Sequence, residues 1–388
     1  MQQLINPLPI QYNRRVKALT ALTFLIALLS SLISINSAWG RIDFSDAAYP
    51  EFATSGRALA LGNAYIAKVD DSAAAFYNPA GLGTVRAPHF HLSNIHFEVN
   101  KDWVDLGTGG DITNAASNFF KGFKVDGTRE LLKDNPGSFS HSRFHFAPNF
   151  TMRHFSAGYL YSSQTRGAFG NQVGALYEYA KRTDQGPYVA FNLSFFGGLF
   201  KIGATGIYLT REEVFDESDI NTAIELQDSD KQKGRGILFT TGAKLTLPFR
   251  ALPTFAVKMN NSTGQHFSAS DGFGGAPDQV KQSIDVGFAM TPAIGKTTRF
   301  HMEINYKDLN DRFKDTKSSR KIGAGIELDF RRLFFLRLGL GDGFGSGGIG
   351  VRTRTLEVDL STYAVDTSNS EFRGTEDRRF LVSVSSGL

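Results

Sequence analysis

The sequence predicts an all-β fold: a transmembrane antiparallel β-barrel of about fourteen strands with an N-terminal hatch segment. Three observations predict it. Apolar and polar residues alternate with period two through most ordered stretches. The connections between those stretches sort into a short set and a long set. A run of small residues, preceded by an apolar leader, comes before the first strand.

Composition limits the alternatives. The chain has 388 residues, with 40 glycines, 34 phenylalanines, 12 prolines and no cysteine, which excludes disulfides and thiolate metal sites. Residues 1–40 hold three basic residues, Arg14, Arg15 and Lys17, and no acid. The remainder carries 39 basic and 38 acidic residues, too balanced for a nucleic-acid binder. Mean hydropathy is −0.20, too low for a helical membrane bundle. In a barrel only alternate residues meet lipid, so this value fits.

The N-terminus reads as a cleaved signal peptide over residues 1–40. Arg14, Arg15 and Lys17 form a basic region, Ala18–Ile35 is almost wholly apolar, and Ala38 and Gly40 are small residues at cleavage spacing. Residues 41–85 then form the expected hatch, in the periplasm or the lumen, and 86–388 the barrel.

Strands follow from the alternation. Ile284, Val286, Phe288 and Met290 interleave with Ser283, Asp285, Gly287 and Ala289; Phe300, Met302, Ile304 and Tyr306 with His301, Glu303, Asn305 and Lys307. Ile322 to Phe330 and Leu356 to Leu360 repeat the pattern, with none of the three-and-four spacing of a helix. Counting back from the C-terminus, expected on the periplasmic side, gives strands at 378–388, 355–365, 346–352, 333–340, 321–330, 297–308, 280–291, 254–261, 236–247, 199–211, 187–196, 155–163, 143–152 and 86–99. Periplasmic turns come out short and most external loops long, an asymmetry that a soluble sandwich has no reason to show. Residues 173–182 are assigned to a hairpin within an external loop. Asn100 to Ser140 is too long for a bare loop and is expected to carry helix, with 114–123 and 128–133 as candidates.

The hatch segment, Gly56 to Gly83, reads GRALALGNAYIAKVDDSAAAFYNPAGLG. Its small residues allow close backbone packing inside a lumen, and Asn78-Pro79-Ala80-Gly81 is tight-turn chemistry. Asp70 and Asp71 are expected to accept hydrogen bonds from lumen-facing Arg or Lys.

Gly56, Arg57, Leu61, Gly62, Asp70, Asp71, Ala73 and Asn78-Pro79-Ala80-Gly81, followed by fourteen strands, resemble the FadL-type family of hydrophobic-compound transporters and its PorV-like relatives. The resemblance implies an outer-membrane barrel of a Gram-negative cell in which a hatch plugs the lumen. A hydrophobic molecule, such as a long-chain fatty acid, would cross passively and leave through the wall. PorV-like relatives instead hold protein partners for secretion or surface attachment, here at the external loops. The hatch motif occurs in both groups, so both readings stay open. Asp70, Asp71, Asn78, Pro79, Ala80 and Gly81 are the candidate hatch or gating residues. A transporter predicts an apolar pocket at the hatch and a gap or kink in the wall. A scaffold predicts a sealed barrel with an exposed apolar loop patch. An open polar pore is a third class, against which the hatch argues.

Other constellations point less sharply. Asp285, Glu303, Lys307, Glu327, Arg337 and Glu357 share the polar faces of the C-terminal strands and are expected to pair inside the lumen, as an ion-paired filling or a polar ladder on a transport path. Six of eight histidines fall between 89 and 154, but His89 and His91 are read as facing opposite to His96, so no metal is expected. Glu212 to Asp230 carries eight acids and reads as an external loop. Phe195, Phe196, Phe200, Phe334, Phe335 and Tyr363 are read as interfacial aromatics. Gly295-Lys296-Thr297 lacks the upstream glycine of a phosphate loop, and neither G-x-S-x-G nor H-E-x-x-H occurs. Neither an enzyme nor a cofactor is expected.

Overall fold

The computed structural model describes residues 42, 44, 53–108, 118, 120–270, 275–295, 297–368 and 373–387. The signal peptide expected over 1–40 lies outside these residues, as do 114–117 and 119 of the helix candidate at 114–123.

Fourteen antiparallel wall strands close into a barrel. They are β1 (His89–Asn100), β2 (Phe139–Phe146, continued by Asn149–Met152), β3 (Phe155–Phe169), β4 (Tyr177–Phe195), β5 (Phe200–Ser218), β6 (Gln232–Thr246), β7 (Thr254–Asn260), β8 (Ser283–Met290), β9 (Thr298–Tyr306), β10 (Ile322–Phe330), β11 (Phe334–Gly341), β12 (Phe344–Arg352), β13 (Leu356–Asp366) and β14 (Glu376–Gly387). Each pairs with its neighbours in sequence, and β1 closes on β14 from His91↔Gly387 to Asn100↔Arg379. Closure leaves no free sheet edge. All fourteen expected strands are present. A two-residue ribbon, Ser268–Ala269, pairs with β6 outside the wall count.

The faces segregate as period two requires. On β11, Leu336, Leu338 and Leu340 are exposed, while Phe335 and Arg337 are buried. Exposed Phe255, Val257, Met302, Ile304, Ile326, Ile349, Leu360 and Val382 extend an apolar outer surface around the barrel. Buried polar side chains fill the inner face. Phe335 and Tyr363 are therefore not interfacial aromatics: they share the inward phase of Arg337 and Ser361 and are buried.

Connections at one end are short: Arg153-His154, residues 196–199 and residues 331–333 are three. Long connections collect at the other end, with one exception. The expected glycine-rich loop before 346 is a two-residue turn, Asp342-Gly343, whose φ angles of 50° and 83° suit a hairpin. Two polar stretches also differ from expectation. Residues 177–182 continue β4 along β3 as far as Phe169↔Tyr177, so only the hairpin tip is loop. Glu212–Ser218 continues β5, and only the rest of the acidic stretch is loop. The sequence reading ended both strands early because their outer positions become polar beyond the apolar band.

Among its described residues the connection from β1 to β2 carries the helices α1 (Lys101–Thr108) and α2 (Val125–Leu132). Asn100 caps α1, its Oδ1 accepting from Trp103 N at 3.1 Å. Asp126 in the first turn of α2 accepts from Arg129 Nε at 2.6 Å and from Ile224 N at 2.9 Å, which ties this lid to the β5–β6 loop. Val125, Leu132, Tyr177, Tyr179 and Val214 form the apolar cluster beneath it.

Candidate functional site

Residues 53–85 lie inside the barrel. Gly56–Ala60 is one helical turn, with Ser55 at its N-cap, packed against β11 to β14. The 3₁₀ turn Pro79–Thr84 packs against β4, β5 and β6 on another part of the wall. Small residues make this possible: a side chain at Gly62, whose φ is +64°, would run into the Leu340 backbone, and one at Gly203 of β5 would meet the Pro79 backbone.

Arg57 fixes the first turn. Its Nε and Nη2 donate to the Glu327 carboxylate at 2.7 and 2.6 Å, while Nη1 donates to Asp70 at 2.8 Å and Asp71 at 3.1 Å. Glu327 also accepts from Arg337 Nε at 2.8 Å, and Arg337 in turn pairs with Asp359. One wall carboxylate thus bridges a guanidinium of the segment and one of the wall. Phe335 sits among Arg57, Arg337 and Arg352, 5.1–5.8 Å from each.

Asp70 and Asp71 find their partners within the segment itself, not on the wall. Asp70 accepts from Lys68 at 2.7 Å as well as from Arg57, and Asp71 from the Tyr65 hydroxyl at 2.6 Å and Ala73 N at 3.0 Å. The wall answers the backbone instead: Glu303 accepts from Ala67 N at 2.8 Å and Lys68 N at 2.7 Å.

Asn78 is fully buried and works in three directions. Its Oδ1 accepts from Ala80 N at 3.0 Å, closing the turn, while Nδ2 donates to Ile66 O at 3.0 Å and to Val257 O on β7 at 3.4 Å. The Ala80 carbonyl accepts from Asn192 of β4 at 3.1 Å. Gly81 abuts Val69, where a larger residue would collide. Pro79 opens the turn at a position that requires no N–H donor.

The six candidate wall residues fall into separate groups. Glu303 and Glu327 meet the lumen segment, Arg337 shares the Glu327 carboxylate, and Glu357 pairs with Arg352 beside it. Asp285 and Lys307 lie apart, with Asp285 accepting from Asp308 N at 2.9 Å. Arg211, bound twice to Asp184 at 2.7 and 3.1 Å, and Arg182, paired with Glu213, are interior ion pairs that the sequence reading missed. Their inward phase was legible, but it continues beyond the expected ends of β4 and β5.

Backbone pairing weakens along one band of the wall. β1 carries a bulge between His91 and Ser93, against both β14 and β2. Opposite it, β2 is interrupted at Ala147-Pro148. Tyr159 of β3 faces Pro148 on one side and Pro187 of β4 on the other, and pairing of β4 with β5 skips Gly186-Pro187. Each proline removes a ladder donor. The bulge also shifts phase: His91 Nδ1 lies 2.6 Å from the inward-facing Ser385, on the same face as His96, contrary to the sequence reading. No group of three or more His, Asp or Glu placed to hold a metal occurs among the described residues.

No protein-family model matches the chain, and no curated protein does. Among solved structures it is similar to the toluene transporter TbuX of Ralstonia pickettii, with 9% identity over 86% of this chain and 98% of that one, at a TM-score of 0.47. In fold the chain is similar to FadL-type channels. A FadL homologue from Pseudomonas aeruginosa matches at 12% identity over 86% and 98% of the chains, with a TM-score of 0.42. The monoaromatic hydrocarbon channel CymD matches at 8% identity over 86% and 97%, with a TM-score of 0.49. The PorV-like part of the expectation rests on the sequence alone.

Proposed function

We propose that the protein is an outer-membrane channel for passive uptake of small hydrophobic compounds, closed along its axis by residues 53–85 and opening sideways through its wall. The observation that carries this reading is the weakened band at the β1 bulge, Pro148 and Pro187. A wall that only sealed a plugged barrel has no use for two prolines at one level, whereas a lateral exit needs a place where strands part cheaply. The apolar outer surface suits insertion by strands; no helix of the described residues is long and apolar enough to cross a membrane. Apolar molecules partition along such a path without energy coupling. Long-chain fatty acids are one substrate class that fits.

The test is uptake of a radiolabelled apolar probe by cells expressing the native chain or Pro148→Val. Native uptake above background, reduced about fivefold by the substitution, supports the reading; uptake equal to vector-only cells overturns it. A protein-binding scaffold is the second reading. It is favoured by exposed apolar residues on long-loop-end connections, Phe120 at 70% and Val173 fully open to solvent. A stoichiometric protein partner, lost on Phe120→Ser, would support it.

A further inference from the structure

Between the lumen segment and the weakened band lies a cavity of about 50 Å³, lined by Thr54, Tyr77, Asn94, His96, His145 and Asn149 among others. Three buried polar atoms on its lining, Thr54 Oγ1, Tyr77 Oη and His145 Nε2, have no hydrogen-bond partner among the described residues. Buried polar atoms rarely stay unsatisfied, because each has given up its hydrogen bonds to water.

The neighbouring bonds define what His145 offers. His96 Nε2 lies 2.8 Å from Asn94 Oδ1, an acceptor, so that nitrogen carries the proton. In the neutral ring His96 Nδ1 is then bare. It accepts from His145 Nδ1 at 3.2 Å, which leaves His145 Nε2 as a bare acceptor. A ligand here must therefore donate to His145, while the Thr54 hydroxyl can donate to the ligand.

Charge decides between donor types. On the cavity's lining one guanidinium, Arg57, stands against three carboxylates, Asp71, Glu357 and Asp359. An added carboxylate would meet net negative charge and a histidine nitrogen with no proton to give. The volume holds a few water-sized groups, so it suits a head and not a hydrocarbon tail.

We propose that this cavity binds the neutral hydroxyl head of an otherwise apolar molecule, an alcohol or phenol, with its O–H donating to His145 Nε2 and its oxygen accepting from Thr54. This rests on the transport reading and narrows its substrate class.

The test is equilibrium binding of 4-methylphenol, toluene and 4-methylbenzoate to the full chain in lipid nanodiscs. It compares the native protein with His145→Leu and Thr54→Val, and toluene uptake by expressing cells is read separately. The expected result is 4-methylphenol bound about tenfold more tightly than 4-methylbenzoate. Each substitution should weaken the phenol about tenfold, the loss of one hydrogen bond. Equal phenol affinity in all three chains, or a site holding ordered water only, overturns the assignment even where toluene uptake persists. Phenol binding with no toluene uptake by the native chain overturns the transport reading and leaves the site standing.

Discussion

Arg57 of the lumen segment and Glu327 of β10 meet through two hydrogen bonds of 2.7 and 2.6 Å, with both side chains buried. They are 270 residues apart in sequence, and this contact pins the segment to the wall. Arg337 shares the same carboxylate, so removing Glu327 takes a buried partner from two guanidiniums at once. Breaking a buried pair from one side costs about 3–5 kcal/mol, far more than the pair contributes net. Glu327→Ala is therefore expected to lower the melting temperature and to produce open-channel events in planar bilayers. Unchanged conductance would mean that Arg57 does not hold the segment closed.

Backbone shape gives an independent handle on the same segment. Gly62 has φ +64° and faces the Leu340 backbone with no room for a side chain. Gly62→Ala should cost at least about 1–3 kcal/mol of strain before any clash is counted. The barrel wall does not depend on this residue, so heat-modifiable gel mobility should persist while protease cleavage within 53–85 increases. Loss of the folded barrel band would show instead that the segment is needed for closure.

Much of this architecture was legible in the sequence. Period-two alternation located all fourteen strands, because one face must meet an apolar surface and the other a filled interior. The small-residue run likewise marked the segment that packs within. Other features were not legible. A bulge at Leu92 shifts phase without changing composition, so His89 and His91 were placed on the wrong face. Asp70 and Asp71 pair with Arg57 and Lys68 of their own segment, a fact set by the turn between them and not by residue type. The α1 helix was missed because its cap, Asn100, looks like the end of a strand.

Acid should loosen the lid. The hydrogen bond from Arg129, with a smaller opposing effect of burial and a further bond from Ile224 N, holds the Asp126 carboxyl below the usual carboxylate range. A depressed folded-state pKa stabilises the lid above the ordinary carboxylate pKa, and that stability is lost as pH falls through the folded value. Protection of residues 125–132 against hydrogen exchange, taken relative to the intrinsic rate at each pH, should therefore be high and flat near neutrality and fall below about pH 4. Asp126→Asn should remove the acid-dependent part and raise exchange at pH 7. An identical pH profile in the variant would assign the lid's stability to its apolar cluster alone.

The wall band makes the sharpest separation between a plug that opens and a wall that parts. Pro148 accepts from Tyr159 N through its carbonyl but has no N–H to return, and Pro187 stands on the other side of Tyr159. Pro148→Val restores a ladder donor and a residue with strand preference, and should tighten β2 against β3 by about 1 kcal/mol. If apolar molecules leave sideways, uptake of an apolar probe should fall about fivefold, a stiffer exit opening proportionately less often. Conductance after deletion of residues 56–83 should be the same with either residue at 148, since ions then follow the axis. A substitution that lowers both would place the exit along the lumen, and the two prolines would then serve only to shape the wall around the segment.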